Sequence, residues 1–227
     1  LIKDTRLFDV LVGYFYTSGF HAIYKSLENT EKIRILIGIS TNKQARELIQ
    51  NAKSNHQSIL PYSHAEVKEQ FEQSVTEEVE KSEDKPEVEG GILKFIEWLK
   101  NGKLEIRAYP TENIHAKFYI MTFVEGDRDV GRVITGSSNF TQSGLIDNFE
   151  FNVELKTRAD YEFALQKFNE LWKDAVDVRE RYIDTIQIKT WLNNTITPYE
   201  LYLKFLYDYF KEELSQADEV FLKYLPQ

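Results

Sequence analysis

Hydrophobic and polar positions follow a simple order over the first forty residues. Apolar runs at 8–14 and 33–39 have the length of buried strands, and the second is rich in β-branched residues. Between them, residues 19–27 space their apolar positions as a helix does. The order strand, helix, strand predicts two parallel strands of one sheet.

The pattern changes after residue 40. Thr41 or Asn42 is predicted to cap a helix that reaches about residue 52. The stretch 55–91 is polar and acidic and is broken by proline and glycine, so we expect an insertion there with one charged helix at 65–81. A compact helix at 92–100 follows.

The second half alternates strand signals with one clear helix. Four strands are predicted, at 104–108, 114–123, 132–135 and 149–156. The glycine-containing turn at 125–131 predicts a hairpin between the second and third of them. An amphipathic helix at 159–175 has an apolar face formed by Phe163, Leu165, Phe168, Leu171 and Trp172.

The last fifty residues differ in character. Thr197 and Pro198 suit the first positions of a helix, and an apolar stripe runs through residues 199–214. Packing of this stripe on the domain core is expected unless the stripe is exposed, in which case it would dock on a missing partner. We therefore divide the chain into a domain at 1–178 and a helical extension at 179–227.

Composition narrows the class of protein. The 227 residues are 42% hydrophobic and 29% charged, as in an ordinary globular protein, and no apolar run is long enough to cross a membrane. The absence of cysteine excludes disulfides and thiolate zinc sites, and no cofactor or metal is predicted. We expect a cytoplasmic protein. Because the first residue is not Met, we also expect that the chain is cut from a longer protein.

The net charge of −9 is concentrated in one segment. Residues 66–89 carry ten acidic residues and three lysines, a charge of −7, which leaves −9 − (−7) = −2 for the rest. The acidic segment is expected to be a solvated helix or linker. A local cationic cleft elsewhere is compatible with the acidic total.

Two polar motifs interrupt the apolar strands. His115 and Lys117 are two residues apart in the predicted strand 114–123 and would project from the same face. A buried lysine requires an anion nearby, so this pair predicts a phosphate or carboxylate ligand. In the second motif, at 136–141, a strand runs into Gly136, Ser137, Ser138 and Asn139, which also suit a simple polar turn.

The motifs together resemble the phospholipase D superfamily. The resemblance lies in His115-Ala116-Lys117, then 136–139, then Asn148-Phe149-Glu150, with Gly-Tyr-Phe at 13–15 and Leu-Ile-Gly at 36–38 as lead-in. It covers residues from about 8 to 175. The fold that it implies is an α/β/α sandwich with a mixed central sheet.

One position departs from the family motif. The motif places an aspartate five residues after the lysine, where this chain has Thr122. The sequence is therefore similar to the branch with a single His-x-Lys, which contains metal-independent restriction endonucleases and nuclease-like N-terminal domains of bacterial DEAD/DEAH-type helicases. The stretch 197–202 is similar to the connector before the ATP-binding motor of those helicases, but no Gly-rich phosphate loop occurs in this chain.

The resemblance implies residue roles. His115 would be the nucleophile that forms a phosphohistidine, and Lys117, Asn139 and Ser137 would bind the phosphate, with Ser138 beside them. Glu150 would orient His115, with Glu154 as the alternative. Arg107 could add positive charge at the mouth of the cleft.

A single His-x-Lys supplies one catalytic histidine, so the resemblance implies a homodimer with a shared site. The expected function is a DNA phosphodiesterase or nuclease domain at the N-terminal side of a helicase motor. Two alternatives remain open: a non-catalytic DNA-binding or dimerisation module that keeps the phosphate pocket, and a hydrolase of lipids or small esters. The last of these lacks support from an amphipathic membrane helix.

Overall fold

The molecule is described by a computed structural model. It describes residues 1–13, 15–38, 64–80, 82, 85–109, 114–126, 129–178, 182–194, 196–207 and 209–210. The helix predicted to end near residue 52 lies outside these ranges.

The described chain contains both strands and helices. The strands are β1 (Thr5–Val12), β2 (Lys32–Gly38), β3 (Leu104–Tyr109), β4 (Phe118–Phe123), β5 (Gly131–Gly136), β6 (Asn152–Leu155) and β7 (Val176–Asp177). The α-helices are α1 (Thr17–Ile23), α2 (His64–Glu80), α3 (Pro86–Lys100), α4 (Arg158–Asp174) and α5 (Tyr182–Lys189). Short 3₁₀ turns lie at Ile2–Asp4, Tyr24–Leu27 and Trp191–Asn193, and a π-helical turn lies at Ser143–Asp147.

The seven strands form one mixed sheet in the order β6-β5-β4-β1-β2-β3-β7. Strands β1 and β2 are parallel, as the sequence predicted, and β3 is parallel to β2. The remaining pairs are antiparallel. Leu11 of β1 pairs with Phe118 of β4, which pairs with Thr135 of β5. The ends of β1 and β5 therefore meet the start of β4 at one edge of the sheet, which we call the site edge.

Helices cover both faces of the sheet, which confirms the predicted α/β/α sandwich. Alternating residues of β1, such as Phe8 and Val10, are buried beneath α1, α2 and α3. Leu11 points to the opposite face, where it packs with Phe168 and Trp172 of α4. Phe163, which was expected on the apolar face of this helix, is 60% exposed.

One ion pair lies inside the sheet beneath α4. Asp9 of β1 is the register partner of Arg34 of β2, and two hydrogen bonds of 2.6 and 2.7 Å join the guanidinium to the carboxylate. Arg34 also donates to Asn169 of α4 at 3.0 Å and lies over the ring of Phe168. Burial raises the pKa of Asp9, an effect that Arg34 opposes.

Helix α3 begins earlier than the sequence predicted. Pro86 occupies its first turn, and the two glycines that were interpreted as a break lie within the helix. A Cβ on Gly91 would lie only 2.8 Å from Cδ2 of His21, so a glycine here lets α3 approach α1 closely. Burial lowers the pKa of His21 to about 4, and its Nε2 has no hydrogen-bond partner within the described chain.

The C-terminal stripe is largely exposed where the structure describes it. Residues 198–207 are helical, and Thr197 caps them by accepting from the Glu200 amide at 3.2 Å. The amide of Tyr199 donates to the buried Glu89 at 2.8 Å and so anchors the first turn to α3. Beyond that turn the large apolar side chains are open to solvent, notably those of Phe205 and Tyr209. Among the described helices, none has both the length and the hydrophobicity needed to span a membrane.

Candidate active site

Two glycines let the segment before β4 close over the site edge. A Cβ on Gly13 would lie 3.2 Å from the carbonyl oxygen of Ile114, and a Cβ on Gly38 would lie at the same distance from that oxygen. Side chains at the ends of β1 and β2 would therefore push Ile114 away. The segment that carries His115 is held against the ends of both parallel strands.

His115 and Lys117 lie before β4 and not within it. The prediction of a strand from residue 114 is wrong by four residues, because β4 pairs with β1 only as far as Leu11 and Phe118. The side chain of His115 is exposed and that of Lys117 is partly buried. The Lys117 ammonium donates to the carbonyl oxygen of His115 at 2.9 Å, so the two residues are held together through the backbone.

Asn139 faces the same edge from the loop after β5. Its Oδ1 lies 3.6 Å from the position that a Cβ on Gly13 would take, so Asn139 and Ile114 approach the same point. The loop is fixed behind it, since Phe140 is fully buried and its carbonyl accepts the Tyr16 amide at 3.0 Å. The structure thus brings the His-x-Lys segment and the asparagine loop together.

Ser137 and Glu150 form the outer part of this loop. The Ser137 hydroxyl donates to the Glu150 carboxylate in a short hydrogen bond and accepts the Phe151 amide at 3.0 Å. The Ser137 amide in turn donates to the Phe151 carbonyl at 3.1 Å. Ser137 remains exposed, so its hydroxyl and the carboxylate are accessible to a ligand.

Ser138 has the opposite environment. It is 3% exposed, its hydroxyl accepts from the side-chain amide of Asn152 at 2.7 Å, and its carbonyl accepts from the Tyr119 hydroxyl at 3.0 Å. Burial, together with the negative charge of Glu150, raises the pKa of Tyr119, so this phenol stays protonated and remains a donor. The geometry makes Ser138 an anchor of the loop.

The sequence analysis did not identify Tyr119 or Asn152 as residues of the site. A signal was present, because Tyr119 follows His115 and Lys117 at the same two-residue spacing and Asn152 follows Glu150 in the same way. Their partner is a backbone carbonyl in one case and a buried serine in the other. Such contacts depend on the pairing of β4, β5 and β6.

Arg107 and Glu154 are engaged elsewhere. Arg107 of β3 donates to the carbonyl of Trp172 at 2.9 Å and lies over its ring, with β1 and β2 between it and β4. Glu154 accepts from Arg132 at 2.5 Å and pairs with Lys156 at 3.3 Å. Of the two predicted glutamates, Glu150 is the one whose carboxylate contacts the loop at the site edge.

Thr122, the position that departs from the family motif, lies at the far end of β4. Its hydroxyl shares a hydrogen bond of 2.8 Å with Tyr161 of α4, which is buried. Thr122 lies five residues after Lys117, roughly 16 Å of extended chain. The described residues contain no group of three or more carboxylate or histidine side chains that could hold a metal ion.

Comparison with known proteins shows the family to which the chain belongs. Residues 5–172 match the family model described as "Cardiolipin synthase, PLD-like domain". The match covers most of the chain, so the chain belongs to this family of phospholipase-D-like domains. No curated protein matches the sequence.

Three solved structures are similar to the chain at low identity. TrmBL2, an archaeal chromatin protein that binds DNA, is 18% identical with a TM-score of 0.36 over 78% of this chain and 46% of its own. NucT from Helicobacter pylori is 14% identical with a TM-score of 0.39 over 78% and 85%. A mutant of yeast tyrosyl-DNA phosphodiesterase 1 is 14% identical with a TM-score of 0.33 over 68% and 26%. The chain thus spans less than half the length of the first and third.

Proposed function

We propose that this chain is a metal-independent phosphodiesterase domain that cleaves DNA at a site shared by two copies. One observation carries the proposal: the carbonyl of Ile114, directly before His115, and the side chain of Asn139 approach the same point at Gly13. A nucleophile and phosphate-binding groups must be near each other for phosphoryl transfer. Family membership supports phosphodiester chemistry, and the resemblance to single His-x-Lys nucleases supports DNA as the substrate.

The proposed reaction has two steps. An imidazole nitrogen of His115 attacks phosphorus, the bond to the leaving oxygen breaks, and the partner subunit's His115 gives that oxygen a proton. Water then attacks the phosphohistidine, the partner subunit's His115 takes a proton from this water, and His115 is released. Lys117 and Asn139 would hold the non-bridging oxygens in both steps.

Glu150 would act through the loop in this scheme. Its carboxylate accepts from Ser137, and its negative charge would stabilise a protonated imidazole at the same edge of the sheet. Glu154 is tied to Arg132 and Lys156 and would have no part in the reaction. The two glutamates therefore form a matched pair for testing.

A cleavage assay on single- and double-stranded DNA tests the proposal, with EDTA present. The wild type should cut regardless of EDTA, and His115→Ala should lose at least about 10³-fold in rate, because a nucleophile cannot be replaced by its neighbours. Since the His115 side chain is exposed, its removal should leave the unfolding midpoint unchanged.

Two further results would decide between the alternatives. Glu150→Gln should slow cleavage, and Glu154→Gln should not. DNA binding without any cleavage by the wild type would favour the non-catalytic module, and an absolute requirement for metal would refute the phosphohistidine mechanism.

The link to a helicase motor is also a proposal. It is supported by the exposed apolar side chains of the helix at 198–207, which find no cover in the described part of this chain. A helix that is apolar around most of its surface is stable when another protein surface buries it. The similarity of residues 197–202 to the connector of such helicases indicates that this surface would belong to the helicase motor.

A further inference from the structure

Asn139 begins a tight turn of the backbone. Its carbonyl oxygen accepts the Thr141 amide at 2.9 Å, so residues 139–141 form a γ-turn of three residues. Phe140, in the middle of this turn, is fully buried. The direction in which the Asn139 carboxamide leaves the backbone therefore depends on what holds the γ-turn in place.

The π-helical turn at Ser143–Asp147 packs directly on the backbone of Asn139. A Cβ on Gly144 would lie 2.5 Å from the carbonyl oxygen of Asn139 and 2.9 Å from its amide nitrogen, closer than a side chain can come. The contact therefore requires a glycine at this position. π-Helical turns are rare in proteins and are found frequently at functional sites.

Thr141 joins the γ-turn to the π-helical turn. Its hydroxyl accepts the Gly144 amide at 2.9 Å, and its carbonyl accepts the Leu145 amide at the same distance. The Thr141 side chain is only partly buried, and its hydroxyl is the side-chain group that fixes the start of the π-helical turn. The position of Gly144 against Asn139 therefore depends on this hydroxyl.

Helix α1 holds the next peptide of the γ-turn. A Cβ on Gly19 would lie 2.6 Å from the carbonyl carbon and oxygen of Phe140 and 2.8 Å from the amide nitrogen of Thr141. The Tyr16 amide, directly before α1, donates to the same Phe140 carbonyl at 3.0 Å. Two successive peptides of the γ-turn are thus fixed, one by the π-helical turn and one by α1.

We propose that Thr141 and Gly144 are positioning residues, which hold the Asn139 carboxamide at the phosphate without touching the substrate. The inference rests on the proposed function for the role of Asn139, and it adds two residues that the proposed reaction does not use. Charge on the phosphate oxygens develops in the transition state, so a displaced carboxamide should slow the reaction more than it weakens substrate binding.

The Thr141 hydroxyl permits a conservative test. Thr141→Val removes the hydroxyl and keeps the shape of the side chain, so kcat for DNA cleavage should fall about 10-fold with a nearly unchanged KM. Thr141→Ser restores the hydroxyl and should restore kcat. Thr157→Val is the matched control, because the Thr157 hydroxyl accepts the Asp160 amide at 3.2 Å at the start of α4, which lies at the opposite end of β6 from the site edge. Equal losses in the two valine variants would overturn the proposal.

Gly144→Ala tests the contact with Asn139 itself. The added methyl would force the backbone of Asn139 to shift, so kcat should fall on the order of 10²-fold. Gly90→Ala is the control, since its Cβ would lie 3.8 Å from the Tyr24 hydroxyl, an ordinary contact. A folded Gly144→Ala with wild-type kcat would overturn the proposal, and if this variant does not fold, Thr141→Val decides.

A second background separates positioning from a general loss of structure. If Thr141 acts through Asn139, its hydroxyl should matter only while the carboxamide is present. Thr141→Val should therefore lower kcat by less than about 2-fold in an Asn139→Ala protein. A reduction as large as that in the wild type would overturn the positioning role.

The side-chain amide resonances of Asn139 give a measurement that does not require cleavage. They are the pair of signals that disappears from the NMR spectrum of Asn139→Ala. Thr141→Val should shift this pair, and Thr157→Val should leave it in place. If the wild type does not cleave DNA, the proposed function falls, while a shifted pair still supports the positioning role. A pair that does not move in folded Thr141→Val would overturn the inference even if the wild type cleaves DNA.

Discussion

Two polar clusters in this molecule have opposite surroundings. The ion-pair cluster, formed by Asp9, Arg34 and Asn169, lies under α4, and the side chain of Asp9 is only 2% exposed. The loop cluster, formed by Ser137, Glu150, Ser138, Asn152 and Tyr119, lies at the site edge and is half open to solvent. Both join neighbouring strands, but only the second presents polar groups that a ligand can reach.

The difference separates stability from function. In the ion-pair cluster the two charged groups satisfy each other, and removal of one would leave the other buried without a partner. In the loop cluster the buried members hold the backbone while Ser137 and Glu150 face outward. We therefore expect substitutions in the first cluster to change folding and substitutions in the second to change activity.

The largest effect on stability is expected for Arg34→Met. It leaves the buried Asp9 carboxylate without its partner, which should lower the free energy of unfolding by about 3–5 kcal/mol. Chemical denaturation measures this. The double substitution Asp9→Leu with Arg34→Met should recover a large part of the loss, since no buried charge remains. A loss below about 1 kcal/mol in the single variant would show that solvent reaches Asp9 freely.

The contrast between the clusters also shows what the sequence could predict. Strands β1 and β2 were predictable because each is an apolar run of the right length. The pairing of Asp9 with Arg34 was not, because it depends on the register of β1 against β2. Two charged residues in the middle of apolar runs indicate only that each needs a partner.

At the site edge the sequence predicted the residues better than their geometry. His115, Lys117, Asn139 and Glu150 were predicted to lie together. In the structure Asn139 and the carbonyl of Ile114, the residue before His115, approach Gly13, Lys117 donates to the His115 carbonyl, and Glu150 accepts from Ser137. The predicted start of β4 was wrong because β4 begins where its pairing with the neighbouring strand begins. Local strand propensity does not show where that is. The roles of these residues remain predictions.

An intermediate effect is expected from His21, whose pKa of about 4 lies below the ordinary value of 6.5. In the unfolded chain this histidine takes up a proton near pH 6.5, whereas in the folded chain it does so only near pH 4. The free energy of unfolding therefore falls as the pH decreases between these values. Between pH 7 and 5 the loss should be roughly 1–2 kcal/mol.

The test compares unfolding free energies of the wild type and His21→Leu across this range. The variant cannot take up the proton, so its curve should be flatter by the same amount. Parallel curves for the two proteins would show that His21 is protonated in the folded state as readily as in the unfolded one.

The smallest effect on stability is expected for two matched tyrosine substitutions, one at each end of β4. Tyr119→Phe removes the donor to the Ser138 carbonyl, and Tyr161→Phe removes the partner of Thr122 at the opposite end of β4. Both rings are buried, and each change deletes one hydroxyl. Each should lower the free energy of unfolding by about 1 kcal/mol.

Activity should nevertheless separate the two tyrosines. The Tyr119 hydroxyl holds the loop that carries Ser137 and Asn139, so Tyr119→Phe should lower kcat for DNA cleavage and leave KM nearly unchanged, whereas Tyr161→Phe should alter neither. Steady-state kinetics at a temperature well below both unfolding midpoints measures the difference. If both variants lose the same activity, the effect follows stability alone. Tyr119 would then be an ordinary core residue. The loop would be held in position by Asn152 and by the hydrogen bonds between Ser137 and Phe151.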